Sequence, residues 1–205
     1  MNLEIVSHCR ITENTVLLNG NLVPIVGSDK GKTSWLDDIY RSLGIEYLKF
    51  FKMDSLCKAG FLAAELVCKD VHCKESNAAI VCFNSSSSLA DDMIYQQTIC
   101  DKNNYYPSPS VFVYTLANIV TGEIAIRHKI TGESSFYIIE NFSPIQIHNA
   151  ITDIFDNDTV HYLLCGWTEY NDKHCDVLMM YIKRNGQPSA NISPQSISDL
   201  YFFVK

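Results

Sequence analysis

The stretch that decides the fold runs from Ser108 to Ile138, SPSVFVYTLANIVTGEIAIRHKITGESSFYI. Pro107 and Pro109 punctuate its start, because a ring-locked φ and a missing amide donor stop regular structure from running through them. Asn118 to His128 has helical character around Gly122, and the aromatic and β-branched SFYII after it predicts a strand. Ser143 then caps a helix, IQIHNAITDIF, with Pro144 as its first residue, where a proline costs nothing. VHYLLCGW and DVLMMYI follow as two consecutive strands.

Working back toward the N-terminus, AAIVCF reads as a buried strand. Before it, Asp54 caps a helix whose Leu56, Cys57, Gly60, Phe61, Ala64, Val67 and Cys68 share one face. SWLDDIYRSLG carries Trp35, Leu36, Ile39, Tyr40 and Leu43 at helical spacing and stops on Gly44. VLLNGNLVPIV predicts a hairpin turning at Asn19-Gly20, and LEIVSHCRI an opening strand. Strands alternating with helices predict an α/β fold, a layered mixed sheet of about five strands flanked by helices, with parallel central strands.

The chain of 205 residues matches one domain, residues 1–205, and a globule of that length buries roughly 70% of its surface. With 47% apolar and 19% charged residues it has the composition of a folded protein rather than a disordered or fibrous one. No apolar run approaches the ~20 residues of a membrane span, and MNLEIVSHCRITEN lacks the plan of a secretion signal, so a cytoplasmic location is expected. A net charge of −7 disfavours nucleic acids and anionic membranes as partners. The eight cysteines sit mostly in apolar segments without a CxxC pair, and the doublets His8-Cys9, His72-Cys73 and His174-Cys175 lack ligand spacing. They read as small buried hydrophobes, and no metal or cofactor is expected.

Five candidates for chemistry stand outside that stretch. Gly27-Ser-Asp-Lys-Gly31-Lys32-Thr33 follows an apolar run as a phosphate loop does, but it has three residues between glycines where a P-loop has four, so Thr33 or Ser34 reads as a helix cap. His148 and Asp153 are five apart and do not share a helix face. Asp91 with Asp92, and Asp156 with Asp158, lack the converging oxygens of a hard-cation site and read as cap and turn residues. Cys165 lies inside a strand, where a thiol is inert.

The Ser108–Ile138 stretch carries a fixed series: Ser108-Pro109-Ser110, Tyr114-Thr115-Leu116-x-Asn118, Gly122-Glu123-Ile124-x-Ile126-Arg127 and Gly132-x-Ser134. It resembles the N-terminal half of β-ketoacyl synthases, the condensing enzymes of fatty-acid and polyketide synthesis. KFFKMDSLCKAGFLAAELVCKD looks like that family's Met-Asp helix, and HYLLCGWTEY like its Gly-Gly-x-Glu strand, so the likeness extends to about Ile182. The resemblance implies a thiolase-like half. In the family, the strand after Gly-x-Ser leads to a nucleophilic cysteine at a helix N-terminus, where the dipole and free amides activate the thiol.

Counted from Gly132, that position falls at Asn141 or Phe142, beside Glu140 and Ser143, and none of these supplies a thiol. The family's two catalytic histidines come from a C-terminal half, whereas about twenty residues follow MMYIKRNG here, enough for a capping strand. What the resemblance implies is a catalytically incomplete ketosynthase-like protein: an accessory or chain-length-type subunit in fatty-acid, polyketide or polyene biosynthesis. Its expected partners are an intact ketosynthase, or a second copy, and an acyl carrier protein, with SFYIIE and Pro107 to Thr115 as contact surfaces. Two alternatives stay open: a homodimeric module binding an acyl chain or small molecule, and an acyl-transfer or thioesterase enzyme using Ser143 or Glu140.

Overall fold

The computed structural model describes residues 2–27, 34–69, 77–103, 105–171, 174–185 and 192–202. Asn19 and Gly20 both have positive φ, 51° and 75°, the two-residue turn that lets right-twisted strands pair tightly. They join β2 (Val16–Leu18) to β3 (Asn21–Leu22). This hairpin extends one edge of a single sheet in the order β3-β2-β1-β7-β6-β4-β5, seven strands where about five were expected. The five longer strands are β1 (Leu3–Thr12), β4 (Ala78–Asn84), β5 (Ser134–Ile138), β6 (Tyr162–Asn171) and β7 (His174–Arg184). The short hairpin pair makes up the difference.

β4 runs parallel to both β5 and β6, whereas β6, β7 and β1 pair antiparallel. Helical crossovers account for the parallel β5-β4-β6 group, which lies at one end of the sheet rather than at its centre as expected, because the middle strand β7 pairs antiparallel with both β1 and β6. On one face lie α1 (Trp35–Ser42), α2 (Ser55–Val67) and α5 (Ile119–His128), packed on Cys9, Ile11, Ile80, Cys82, Val177 and Met179. On the other lie α6 (Pro144–Phe155) and α7 (Pro194–Phe202), packed on Val81, Phe83, Leu163, Trp167, Leu178 and Met180. The alternation of neighbouring residues between these two cores shows a sheet buried on both sides.

The caps follow the sequence. Ser34 Oγ accepts from Asp37 N at 3.2 Å, and Asp54 accepts from Leu56 N and Cys57 N at 3.0 and 3.2 Å. Gly44, with φ +63°, ends the first helix. Two further helices, α3 (Leu89–Ile99) and α4 (Pro109–Tyr114), pack on each other outside the two apolar cores, and no hydrophobic periodicity announces α3. Asp91 and Asp92 stand in its first turn, where negative charge faces the helix dipole.

The expected capping strand at the C-terminus is instead α7. Ser193 Oγ accepts from Ser196 N at 3.1 Å and Pro194 takes the first helical position, so the Ser-Pro pair nucleates a helix. Cys9, Cys57, Cys82, Cys165 and Cys175 are buried thiols, but Cys100, at the C-cap of α3, is exposed, and Cys68, at the C-cap of α2, is disulfide-bonded. Residues 28–33, which include most of the phosphate-loop lookalike, and the His72-Cys73 doublet lie outside the described residues. Among the described residues no helix is long and apolar enough to cross a membrane.

Candidate functional site

β5 ends at Ile138, and Ile139 to Phe142 form the turn into α6. Ser143 is the N-cap, its Oγ accepting from Gln146 N at 3.4 Å, and Pro144 is the first helical residue. Phe142 therefore stands immediately before the cap, where an apolar side chain packs back on the helix, and it joins the core that holds Ile147 and Ile151. Glu140 and Asn141 are exposed beside it. All four residues occupy the strand-to-helix turn that the sequence assigns to them.

Above the turn lies a cleft of about 480 Å³, lined by Ser85, Asn141, Phe142, Trp167, Glu169, Asn171, His174, Asp176 and Tyr201. An aromatic stack fills its inner side. The Phe142 ring lies parallel to Tyr201 at 3.6 Å and edge-on to Trp167 at 5.8 Å. Tyr201 is pinned in turn: its hydroxyl donates to Asp176, its carbonyl accepts from Arg10 Nε at 3.1 Å, and the Arg10 guanidinium lies 4.5 Å from the ring centre. Arg10 Nη1 also pairs with Asp176 Oδ1 at 2.5 Å. The antiparallel register explains this meeting, since Thr12 faces Asp176 and Arg10 faces Leu178, so Arg10 and Asp176 are diagonal neighbours on the α6–α7 side. Burial, the hydrogen bond to Asp176 and its negative charge together push the Tyr201 phenol up.

Glu169 forms the far wall. Its Oε2 accepts from Ser85 N, Ser85 Oγ and Ser86 N at 2.8, 2.7 and 3.1 Å, and its Oε1 accepts from Ser86 Oγ. These donors hold the serine turn at the end of β4, where Ser87 takes a positive φ of 53° and Asn84 bonds across it. Glu169 serves that turn as a structural acceptor.

No activated nucleophile was found among the described cysteines in the cores. Burial pushes the thiols of Cys57 and Cys165 well up, and those of Cys82 and Cys175 to about 12. Ser143 Oγ is used as a cap, and among the described residues no carboxylate or imidazole bonds to it. His148 points away, its Nε2 within 3.1 Å of the Ile192 carbonyl. Among the described residues no group of three His, Cys, Asp or Glu is arranged to hold a metal ion.

The remaining motif residues are structural. Ser108 caps α4, Asn118 stands at the start of α5 with only its carbonyl bonded, accepting from Gly122 N at 3.2 Å, Glu123 pairs with Lys49 at 2.8 Å, and Arg127 makes a bidentate pair with Glu65 at 2.8 and 2.9 Å. Gly132 must lack a side chain, because a Cβ there would lie 2.4 Å from the Ala78 carbonyl oxygen. Sequence reasoning missed Arg10, Asp176, Trp167 and Tyr201, which converge only once strand register is known. A charged residue inside each of two apolar strands was the available signal.

A second feature lies at the sheet edge. Among the described residues β5 is the last strand of the sheet, with no strand paired to its outer side, and Tyr137 and Ile138 are 45% and 57% exposed. Leu89, Met93 and Ile94 of α3 and Phe112 and Val113 of α4 are exposed as well. Open edges with apolar side chains are uncommon on monomers because they invite strand addition.

The layering, the strand order and the β5–α6 turn define a thiolase-like fold of the ketosynthase type. The solved structures bear this out. The chain superposes on a chain of the ishigamide ketosynthase/chain length factor with a TM-score of 0.65 at 13% identity, covering 90% of this chain and 62% of that one. On a chain of a ketosynthase in complex with its chain length factor from Xenorhabdus doucetiae the TM-score is 0.64 at 15% identity, covering 98% and 90%. A type II polyketide synthase acyl-carrier protein in complex with its hexaketide-bound ketosynthase gives 0.56 at 12% identity, with 89% and 62% covered. This chain thus spans under two thirds of the first and third of these chains and most of the second. No family model and no curated protein matches the sequence.

Proposed function

We propose that this chain is a catalytically incomplete β-ketoacyl synthase-like protein that acts as an accessory, chain-length-type subunit beside an intact ketosynthase in fatty-acid, polyketide or polyene assembly. The observation that carries this reading is the β5–α6 turn. The position where the resembled enzymes hold their cysteine is Asn141 or Phe142, and the space beside it is occupied by the stack of Phe142 on Tyr201. Counting back from Glu169, Trp167 stands at the second glycine of the Gly-Gly-x-Glu pattern and adds further bulk against Phe142. A scaffold kept intact while its reaction centre is filled with aromatic rings suits a partner's chemistry rather than its own.

The β5 edge and the apolar faces of α3 and α4 support the partner half of the reading, because together they offer a strand to extend and side chains to bury. Two of the similar structures are of ketosynthases with a chain length factor. Co-elution with a full-length ketosynthase and an acyl carrier protein tests the proposal directly. Ile138→Asp, at an exposed edge position, should abolish the complex without lowering the melting temperature. Absence of any complex with either protein overturns the reading.

The cleft over Phe142 favours a second reading, a homodimeric module that holds an acyl chain or small molecule. Native mass spectrometry separates the two: a co-purified ligand on a homodimer supports the module, and a bare chain supports the subunit.

A further inference from the structure

Trp167 is 3% exposed, and its indole Nε1 is a buried donor with no hydrogen-bond partner among the described residues. The other buried polar side-chain atoms without a hydrogen bond each face a companion. Glu123 Oε2 and Asp176 Oδ1 stand 2.8 and 2.5 Å from Lys49 and Arg10, His128 Nε2 is 3.2 Å from Glu65, and Thr168 lies against the Cys82 thiol. Trp167 Nε1 has no such neighbour, although a buried indole N–H ordinarily finds an acceptor and an unpaired one costs free energy.

Trp167 also lines the cleft above the β5–α6 turn, whose volume of about 480 Å³ falls in the ~300–1,000 Å³ range of small-molecule sites. With Phe142 and Tyr201 it gives the cleft an aromatic wall. The charged residues there are spent on the protein itself. Asp176 holds Arg10 and the Tyr201 hydroxyl, Glu169 accepts from Ser85 and Ser86, and His174 pairs with Glu13. Because the donors around Glu169 are neutral, an anion entering the cleft meets uncompensated negative charge. A cation gains little, since every carboxylate oxygen of the cleft already holds a donor. What remains unspent is neutral: the Trp167 indole N–H and the side-chain amides of Asn141 and Asn171, for which no partner stands among the described residues.

We propose that the cleft over Phe142 binds a small neutral molecule carrying a carbonyl oxygen on an apolar body, such as an amide, ester or lactone, and that Trp167 Nε1 donates to that oxygen. The nitrogen has no contact with solvent in this structure, so the ligand reaches it by turning the Phe142 ring that lies edge-on to the indole at 5.8 Å. The proposal rests on the module reading above for the cleft being a binding site, and adds the class of ligand and the atom that selects it.

The chain has two tryptophans, and Trp35 Nε1 donates to the Thr12 carbonyl at 2.9 Å, so the two indole N–H resonances of the isotope-labelled chain serve as probe and reference. It is titrated with benzamide, benzoate and toluene, which share a ring and differ in acceptor and charge. Benzamide should move the Trp167 indole resonance downfield to saturation and leave that of Trp35 in place. It should bind about fivefold tighter than either other probe, the worth of one neutral hydrogen bond. Trp167→Phe, which keeps an apolar ring and loses the donor, should weaken benzamide by the same factor and leave toluene unchanged. A fixed Trp167 resonance while the backbone amides of Asn141 and Tyr201 shift, equal binding of benzoate, or unaltered benzamide binding in Trp167→Phe overturns the role of the indole and leaves the module reading standing. No shift at the cleft with any of the three probes also overturns the inference, and the native mass spectrum then decides the module reading alone. If Trp167→Phe fails to fold, the three-probe comparison in the native chain decides.

Discussion

The ring of Phe142 lies 3.6 Å from that of Tyr201 with only 9° between their planes, and this pair joins the residue before the cap of one helix to the last turn of another. Tyr201 is held by three groups at once, so its replacements separate their contributions. Tyr201→Phe loses the hydrogen bond to Asp176 and should cost about 1–2 kcal/mol. Tyr201→Ala also loses the stack and the Arg10 contact, for a total of about 3 kcal/mol, and should open the cleft to an apolar fluorescent dye. Urea unfolding with dye titration checks both. Equal stability of the two variants would mean that the ring contributes nothing beyond its hydroxyl.

Glu169 predicts a different defect. It is 6% exposed and accepts four hydrogen bonds from Ser85 and Ser86. Glu169→Gln turns one acceptor oxygen into a donor facing donors, which should cost about 2–3 kcal/mol. Chemical denaturation measures the loss. A catalytic role would instead leave stability unchanged.

The acid limb of stability is set between α2 and α5. Burial works to raise the Glu65 carboxyl, but the His128 ring, with Nε2 3.2 Å away, and the bidentate hydrogen bonds from Arg127 hold it down at about 2. A depressed carboxylate stabilises fully above its unfolded pKa of about 4.5 and loses that contribution as pH falls through its folded value. Thermal unfolding of the native chain should therefore weaken between pH 4.5 and pH 2 by about 2–3 kcal/mol, and Glu65→Gln should flatten this limb. An unchanged slope in the variant would assign the acid limb elsewhere.

Elements whose signals are local were legible in the sequence. The Asn19-Gly20 hairpin, the Asp54 cap, the Ser143-Pro144 start of α6 and the parallel AAIVCF strand each depend on neighbours in the chain, and each is present. That a strand-to-helix turn lies at Glu140 to Ser143 was legible because a strand and a capped helix bracket it. Its contents were not legible. Phe142 meets Tyr201 across 59 residues and Arg10 meets Asp176 across 166, and neither pairing has a periodic trace. α7 stands where a capping strand was expected from length alone, although Ile197, Leu200 and Tyr201 fall at helical spacing behind the Ser193-Pro194 start.

Two glycines from the resembling segments make a paired prediction of opposite sign. Gly166 lies in β6, where an added Cβ would stand 2.2 Å from the Leu178 carbonyl oxygen and 3.0 Å from Met179 Cα, both backbone atoms of the neighbouring strand. Neither can yield without breaking the β6–β7 ladder at the centre of the sheet. Gly166→Ala should therefore cost more than about 3 kcal/mol and reduce the yield of folded protein. Gly122 lies inside α5 with ordinary helical φ, and nothing within 4 Å of its would-be Cβ opposes a methyl. There the entropic disadvantage of glycine dominates, and Gly122→Ala should stabilise by about 0.5–1 kcal/mol. Melting curves of the two variants decide the matter. If Gly122→Ala is instead destabilising, a surface covers this position in solution, and the α5 face becomes a contact site in its own right.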